Sequence, residues 1–195
     1  MTAFDVLAEG RRVLEAEASA ITRAASRVGE EFARAVDLMA TARLIHVSGI
    51  GKSGHIARKI AGTLTSTGQA ATFLHGGEAM HGDLGIVAPD DVVVLISRSG
   101  KCPEMVALAE VLRARGNKII AITGVLDSPM ARCCNVVLDC SVESEAGPYG
   151  LAPTSSTAAA LAMGDALAMV LMGLCGFGPD HFRRTHPGGA LGKTA

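Results

Sequence analysis

The sequence predicts an α/β protein whose core is an open, doubly wound parallel sheet of five strands flanked by helices. Five short apolar runs are continuous rather than alternating, the pattern typical of strands that are covered by helices on both faces. Helical stretches separate most of these runs, and repeated strand–helix alternation is typical of a doubly wound sheet. Ligands of such sheets bind beyond the carboxyl ends of the strands. The loops after Ser48, Ser97, Thr123 and Cys140 are therefore expected to line the site.

The order of the elements follows from composition and spacing. Residues 2–42 are rich in Ala, Glu and Arg without proline, and their apolar spacing predicts two helices broken near Val28 and Gly29. No linker or internal repeat follows, so residues 1–195 are predicted to form a single domain with residues 1–42 as an N-terminal helical extension. The predicted strands are 43–48, 71–75, 91–97, 118–123 and 136–140, and the predicted helices are about 53–67, 103–115, 128–134 and 154–175.

The composition argues against several classes of protein. The 195 residues are 49% hydrophobic and 19% charged, which excludes a disordered chain. A net charge of -1, one Tyr and no Trp provide neither a basic field nor stacking platforms, so no nucleic-acid partner is expected. Five cysteines without a Cys-x-x-Cys pair, and no apolar signal segment at the start, predict reduced thiols in a cytoplasmic protein.

One apolar stretch raises the alternative of a membrane helix. Residues 158–178 contain a single charge, Asp165, and are rich in Ala and Met. An aspartate near the centre of a bilayer costs about 2.5–3.5 kcal/mol on insertion scales, and Ala favours insertion less than Leu. We therefore expect no membrane span. The helix is predicted to pack in the core and in a subunit interface, because apolar residues occupy nearly every face.

A glycine-rich loop follows the first predicted strand. Residues 49–54 read Gly-Ile-Gly-Lys-Ser-Gly and open a helix, where backbone N–H groups bind anions and glycine lets the chain approach a phosphate. A P-loop for nucleoside triphosphates is not predicted, because its first glycine would fall at His46. A dinucleotide site is not predicted, because the second strand ends in His75 rather than an acidic residue. A tight turn without ligand is the alternative for this segment taken alone.

Two further helix starts are rich in hydroxyl groups. Residues 97–100 (Ser-Arg-Ser-Gly) end the third predicted strand, and residues 153–157 (Pro-Thr-Ser-Ser-Thr) precede the long apolar helix. An ordinary helix cap is the alternative for each, because Ser and Thr favour that position. Four consecutive hydroxyl residues exceed what one cap requires. Three such helix starts at the carboxyl edge of one sheet are predicted to converge on one anion.

The candidate acid–base groups lie in polar, glycine-rich loops. The strand residues His46 and His75 are predicted to be packed or to cap a helix, whereas His81 and His186 lie among glycines and polar residues. No cluster of His, Cys and carboxylates has the spacing of a metal site, so no metal is expected. The carboxylate candidates follow predicted strands or begin helices: Glu78, Asp83, Glu104, Glu143 and Glu145.

Together these segments resemble the sugar isomerase (SIS) domain family, and within it the D-arabinose 5-phosphate isomerase branch in a single-domain form without CBS domains. The resemblance extends from about residue 30 to residue 193. The Ser-x-Ser-Gly turn marks the family broadly, whereas residues 150–157 and 186–192 are specific for the branch. The segments that carry the resemblance are 49–54, 78–85, 97–100, 150–157, 163–167 and 186–192.

The resemblance implies a SIS fold, which is flavodoxin-like, and a reversible interconversion of D-arabinose 5-phosphate and D-ribulose 5-phosphate through an enediol, without cofactor or metal. It also implies that the reaction supplies synthesis of KDO and lipopolysaccharide. The implied catalytic residues are Lys52, His81, Glu104, Glu145 and His186, and the implied phosphate- and substrate-binding residues are Gly51, Ser53, Ser97, Ser99, Gly100, Thr154, Ser155, Ser156 and Thr157.

The residue types suit this chemistry. Moving a proton between C1 and C2 needs a base that titrates near neutral pH and a donor to the oxygen that gains charge. Histidine suits the first role, so His186 or His81 is expected to shuttle the proton and Lys52 to stabilise the enediolate. Glu104 and Glu145 are expected to orient groups or to share the proton transfer. The resemblance also implies a homotetramer in which His186 acts across a subunit interface.

Three positions depart from the family pattern and leave alternatives open. Arg98 stands where Asn or Gln is usual, and Lys101 and Cys102 replace an acidic residue and a hydroxyl. One alternative is a non-catalytic, sugar-phosphate-binding regulatory SIS protein, although residues 1–42 are short and Ala/Glu-rich for a helix-turn-helix domain. The other is an isomerase of another phosphosugar, such as a hexulose or heptose phosphate.

Overall fold

The five predicted strands form one parallel sheet in the computed structural model, which describes residues 4–188. Their order is 2-1-3-4-5, which is the order of flavodoxin-like sheets and confirms the predicted fold class. Every neighbouring pair of strands is parallel. The strands are β1 (Ile45–Gly49), β2 (Ala71–His75), β3 (Val92–Ser97), β4 (Lys118–Thr123) and β5 (Val136–Asp139).

Helices cover both faces of this sheet. The two helices predicted before the first strand are present, and Asp5 caps the first by accepting from the N–H groups of Leu7 and Ala8 at 3.1 and 3.0 Å. Within residues 4–188 the α-helices are α1 (Val6–Ser26), α2 (Glu30–Ala40), α3 (Lys52–Ser66), α4 (Gly76–Ala79), α5 (Pro103–Ala114), α6 (Ser155–Leu174) and α7 (Pro179–Thr185).

The strands divide their apolar side chains between two cores. From β3, Val94 and Ile96 pack in a core with α1, α2, α3 and α6, whereas Val93 and Leu95 pack in a second core with α4 and α5. Successive side chains of a strand point to opposite faces. Because both faces are buried, neither needs polar residues, and the apolar runs of the sequence are continuous.

The segment between β4 and β5 does not form the helix predicted over 128–134. It contains only a short 3-10 helix, Ala131–Cys133. The side-chain oxygen of Asn135 accepts from the N–H of Ile119 at 2.8 Å and so returns the chain to the edge of β4 immediately afterwards. The predicted helix is therefore replaced by a single short turn between β4 and β5.

The long helix α6 is the segment that raised the membrane alternative. Among the described residues it is the one helix with the length and apolar composition to cross a membrane. Nine of its residues are buried inside the protein, and it packs against α1, α2 and α3. This packing is that of a core helix, as predicted.

Replacing Gly164 of α6 by alanine is expected to lower the free energy of unfolding by about 1–3 kcal/mol. The added methyl group would overlap Cδ1 and Cγ1 of Ile60 in α3, so the Ile60 side chain or one of the two helices must shift. The matched control is Gly62→Ala in α3, where no atom lies within 4 Å of the added methyl group.

The control is expected to raise stability by up to about 1 kcal/mol, because alanine restricts the unfolded chain. Urea unfolding followed by circular dichroism measures both variants. Equal effects of the two substitutions would contradict the close packing of α3 on α6.

Candidate functional site

The carboxyl edge of the sheet has a crevice between the loops that follow β1 and β3, where the strand order reverses. In the first loop, a side chain at Gly49 would lie 2.9 Å from the backbone of Ser53, so glycine is required for β1 and α3 to approach. Gly51 has a φ of 60° and precedes α3 without a side-chain cap. The first N–H groups of α3 are therefore open to an external anion.

The loop after β3 repeats this arrangement. The Ser97 hydroxyl accepts from the N–H of Gly100 at 3.2 Å, and the Ser99 hydroxyl accepts from the N–H of Lys101 at 3.3 Å. Gly100 also has a φ of 60°, and α5 begins at Pro103 without a side-chain cap. Two uncapped helix starts thus flank the crevice, and their dipoles favour a negative group there.

The start of α6 differs because a carboxylate of the same chain occupies it. The Glu145 side chain is fully buried. Its Oε2 accepts from the N–H groups of Thr154 and Ser156 at 2.8 and 3.1 Å and from the Thr154 hydroxyl at 3.2 Å. Its Oε1 accepts from the Ser156 hydroxyl at 2.5 Å and lies 3.1 Å from Nε of Arg98. Glu145 therefore takes the anion position at this helix.

These contacts keep Glu145 ionised. Burial raises the pKa of its carboxyl group, but the hydrogen bonds from Ser156 and Thr154 and the charge of Arg98 lower the pKa by more, so it lies below the ordinary value of 4.5. A carboxylate with this many donors has little tendency to accept a proton at neutral pH.

Polar groups from several elements meet in a cavity next to this carboxylate. The cavity has a volume of about 420 Å³, including space open to solvent. Its apolar floor includes Ile96 and Ile122 from the ends of β3 and β4. Its polar wall is formed by Ser53, Arg98, Thr123, Ser156 and Thr157. All four segments predicted to line the site, those after β1, β3, β4 and β5, thus contribute to it, the last through Cys140 and Pro153.

Four of the five predicted catalytic residues lie at the carboxyl edge. Lys52 begins α3, Glu104 lies in the first turn of α5, and Glu145 caps α6. His81 follows α4, which packs against α5. Lys52, His81 and Glu104 are exposed. Of these four residues, Glu104 and Glu145 form side-chain hydrogen bonds within the part of the chain that the structure describes, and Lys52 and His81 form none.

Glu104 has a neighbour that the sequence analysis did not connect to it. The Cys102 thiol donates to Oε2 of Glu104 at 2.8 Å. This hydrogen bond lowers the pKa of Glu104, while burial and the adjacent carboxylate raise the pKa of Cys102. Cys102 thus directs the Glu104 carboxylate from the start of the same helix.

His186 is not brought to the crevice of its own chain. The 20 residues of α6 extend about 30 Å from the carboxyl edge, and Phe177 beyond it packs on Gly68 at the opposite edge. The seven residues of α7 are too short to return. His186 instead stacks on Phe182 with 3.8 Å between ring centroids. The rest of its predicted segment, residues 189–192, lies outside the described residues.

The remaining predicted site residues have defined positions. The Thr157 hydroxyl donates to the backbone oxygen of Thr154 at 2.8 Å, and Ser155 is buried. His46 is packed as predicted, with Nε2 2.9 Å from Oδ2 of Asp91. His75 is half-buried and caps α4, as predicted, because its Nδ1 accepts from the N–H of Glu78. Among residues 4–188, no three His, Cys, Asp or Glu side chains form a group that could hold a metal ion.

The chain belongs to the SIS domain family. The family model for the SIS domain matches residues 38–170, which include all five strands and both loops of the crevice. The arabinose 5-phosphate isomerase KdsD of Salmonella typhi is 47% identical over 192 residues, and the protein of the same name from Pseudomonas aeruginosa is 43% identical over 191.

These matches cover 97% of this chain but 58% and 59% of the two relatives, so the chain spans less than two thirds of their length. A solved structure of an E. coli CFT073 protein, in complex with arabinose 5-phosphate, superimposes with a TM-score of 0.89 at 38% identity. That match covers 96% of this chain and 100% of the E. coli chain. The family and its fold are therefore established for this chain.

The buried Glu145 carboxylate is expected to make stability depend on pH. Because its folded-state pKa lies below 4.5, its contribution is complete above pH 4.5 and is lost as the pH falls through the folded-state value. Ser156→Ala removes the nearest donor and is expected to lower the free energy of unfolding by about 1–3 kcal/mol at pH 7. This difference in the free energy of unfolding from the wild type should become smaller as the pH falls.

Ser155→Ala is the control, because it removes a buried neighbouring hydroxyl that is not bonded to Glu145. Its cost should be independent of pH. Urea titrations between pH 3 and 7 compare the variants, and parallel pH profiles for both would refute the assigned role of Ser156.

Proposed function

We propose that this chain is an aldose–ketose isomerase that interconverts D-arabinose 5-phosphate and D-ribulose 5-phosphate. The observation that carries the proposal is the crevice between β1 and β3, in which two uncapped helix starts lie beside Lys52 and Glu104. The names of the relatives that are 43–47% identical over almost the whole chain, and the arabinose 5-phosphate complex of the E. coli structure, support the choice of sugar.

The phosphate would bind at the helix starts. The open N–H groups of α3 and the hydroxyls of Ser53, Ser97 and Ser99 offer donors of the kind a phosphate monoester accepts, and the dipole of α5 favours the negative charge. This placement fixes one end of the sugar. The carbonyl end then lies toward the exposed polar groups at the rim.

The chemistry is a proton transfer between adjacent carbons. A base removes the proton from C2 of the aldose, the C–H electron pair forms the C1–C2 double bond, and O1 gains the negative charge. Lys52 is suited to stabilise that oxygen. Return of the proton to C1, with transfer of the O2 proton to O1, gives the ketose. A histidine is suited to shuttle these protons at neutral pH, and Glu104 shares or directs the transfer.

The position of His186 bears on assembly. We propose a homotetramer in which a neighbouring chain supplies His186 to the crevice, because its own chain holds it at the opposite edge. Exposed apolar side chains on two helices support association between copies. They are Leu7, Leu14 and Ile21 on α1 and Met169, Val170 and Leu174 on α6.

The biological setting follows from the proposed sugar. We assign the product aldose to the synthesis of KDO and lipopolysaccharide in the cytoplasm, with a single catalytic domain and no nucleic-acid partner. The five cysteines, which are all free thiols, fit a reducing compartment.

The direct test is turnover by the purified chain without added metal or nucleotide. Conversion of D-arabinose 5-phosphate to D-ribulose 5-phosphate is expected by NMR, with no conversion of ribose 5-phosphate or fructose 6-phosphate. Conversion of another phosphosugar alone would change the substrate. Binding of phosphosugars without turnover of any would replace the isomerase by a regulatory SIS protein.

A subunit-mixing experiment tests the role of His186. Lys52→Ala and His186→Ala chains are each expected to be inactive. Co-expression with two affinity tags should restore about a quarter of wild-type activity, because a quarter of the sites in a random assembly would combine an intact crevice with an intact neighbouring histidine. If mixed oligomers form and stay inactive, His186 does not act between chains.

A further inference from the structure

Arg98 is the charged side chain at the wall of the crevice cavity whose role the proposed reaction leaves unassigned. It occupies the second position of the Ser-Arg-Ser-Gly loop after β3 and lines the cavity with Ser53, Thr157 and Thr123. Its side chain is 53% exposed, so its guanidinium group is open to a ligand from solvent.

The backbone of Arg98 is fixed from the neighbouring loop. Its carbonyl oxygen accepts from the N–H of Gly124 at 2.9 Å. A side chain at Gly124 would lie 3.1 Å from that same oxygen, so the two loops are in close contact. The starting point of the Arg98 side chain is therefore determined by the end of β4 as well as by β3.

Glu145 holds one edge of the guanidinium group of Arg98. Nε of Arg98 lies 3.1 Å from Oε1 of the fully buried Glu145. The same carboxylate accepts from Ser156 at Oε1 and from Thr154 at Oε2. Among the described residues, no hydrogen bond involves either Nη atom of Arg98. One edge of the planar group thus faces an internal anion, and donors remain for an external one.

The geometry of guanidinium indicates what that external group is. Its N–H donors form a rigid fork that matches the oxygens of a phosphate or carboxylate in a two-point contact. A guanidinium already held by one carboxylate loses less side-chain freedom when it binds a second anion. The uncapped start of α5 follows the same loop as Arg98, and its dipole also favours an anion nearby.

We propose that Arg98 is a substrate-binding residue that holds the phosphate of the sugar phosphate in a two-point contact, and that Glu145 is the positioning residue that orients it. The proposal rests on the proposed function for the identity of the sugar, but the contact with phosphate is independent of turnover. Glu145 then affects the substrate through Arg98 rather than by taking a proton.

The test measures binding of inorganic phosphate and of D-arabinose 5-phosphate to the full chain by isothermal titration calorimetry. Arg98→Gln is expected to weaken both by about tenfold or more, and Arg98→Lys by less, because lysine keeps the charge but not the fork. Arg132→Gln is the matched control, since Arg132 is exposed and lies in the β4–β5 connection, away from the crevice. It should leave both affinities unchanged.

Glu145→Gln tests the positioning role. Alone, it is expected to weaken phosphate binding. In the double variant with Arg98→Gln, it is expected to cause no further loss of phosphate affinity. Where turnover is measured, each single change should raise KM more than it lowers kcat. Circular dichroism and urea midpoints verify that each variant is folded.

The outcomes separate the two proposals. Equal phosphate affinity of Arg98→Gln and Arg132→Gln, or additive effects of Glu145→Gln and Arg98→Gln, would overturn this assignment. A fall in kcat at unchanged affinity in Glu145→Gln would also overturn it and would make Glu145 a catalytic residue. If the wild-type chain turns over no sugar but Arg98→Gln still loses phosphate binding, the contact between Arg98 and phosphate is supported and the isomerase activity is rejected.

Discussion

A single buried negative charge organises the carboxyl edge of this sheet. A carboxylate taken out of water costs several kcal/mol unless hydrogen-bond donors replace the water. For Glu145 those donors come from the start of α6 and from the loop after β3. The requirement to satisfy this charge holds Arg98, Thr154 and Ser156 in one arrangement. The loops after β3 and β5 and the first turn of α6 therefore form one unit.

Because of the same constraint, the start of α6 is used by the protein itself, whereas the starts of α3 and α5 remain available to a ligand. The N–H groups of α6 are used by Glu145, whereas α3 and α5 begin at Lys52 and Pro103 without a side-chain cap. An external anion is therefore favoured at the crevice between β1 and β3, where two helix dipoles and the hydroxyl groups of Ser97 and Ser99 converge. The internal anion also keeps a positive group, Arg98, at the wall of that crevice.

Close helix packing fixes where the remaining groups lie. Gly164 lets α6 lie against Ile60 of α3, and Gly49 lets α3 begin directly at the end of β1. These contacts align the first residue of α3, Lys52, with the crevice. They also hold α6 along the whole height of the protein, which carries the C-terminal His186 to the opposite edge. In the proposed tetramer, a second chain is what would bring that histidine to a crevice.

The sequence by itself determined the five strands, the fold class, the two glycine loops and the packed state of His46. These features are local, because burial on both faces makes a strand continuously apolar and a left-handed turn requires glycine. Only the tertiary structure decided that Glu145 fills the start of α6 and orients Arg98, that residues 128–134 form no full helix, and that His186 lies far from Lys52. Those outcomes depend on contacts between residues that are distant in sequence. The residues next to each position in the chain do not identify its distant partner.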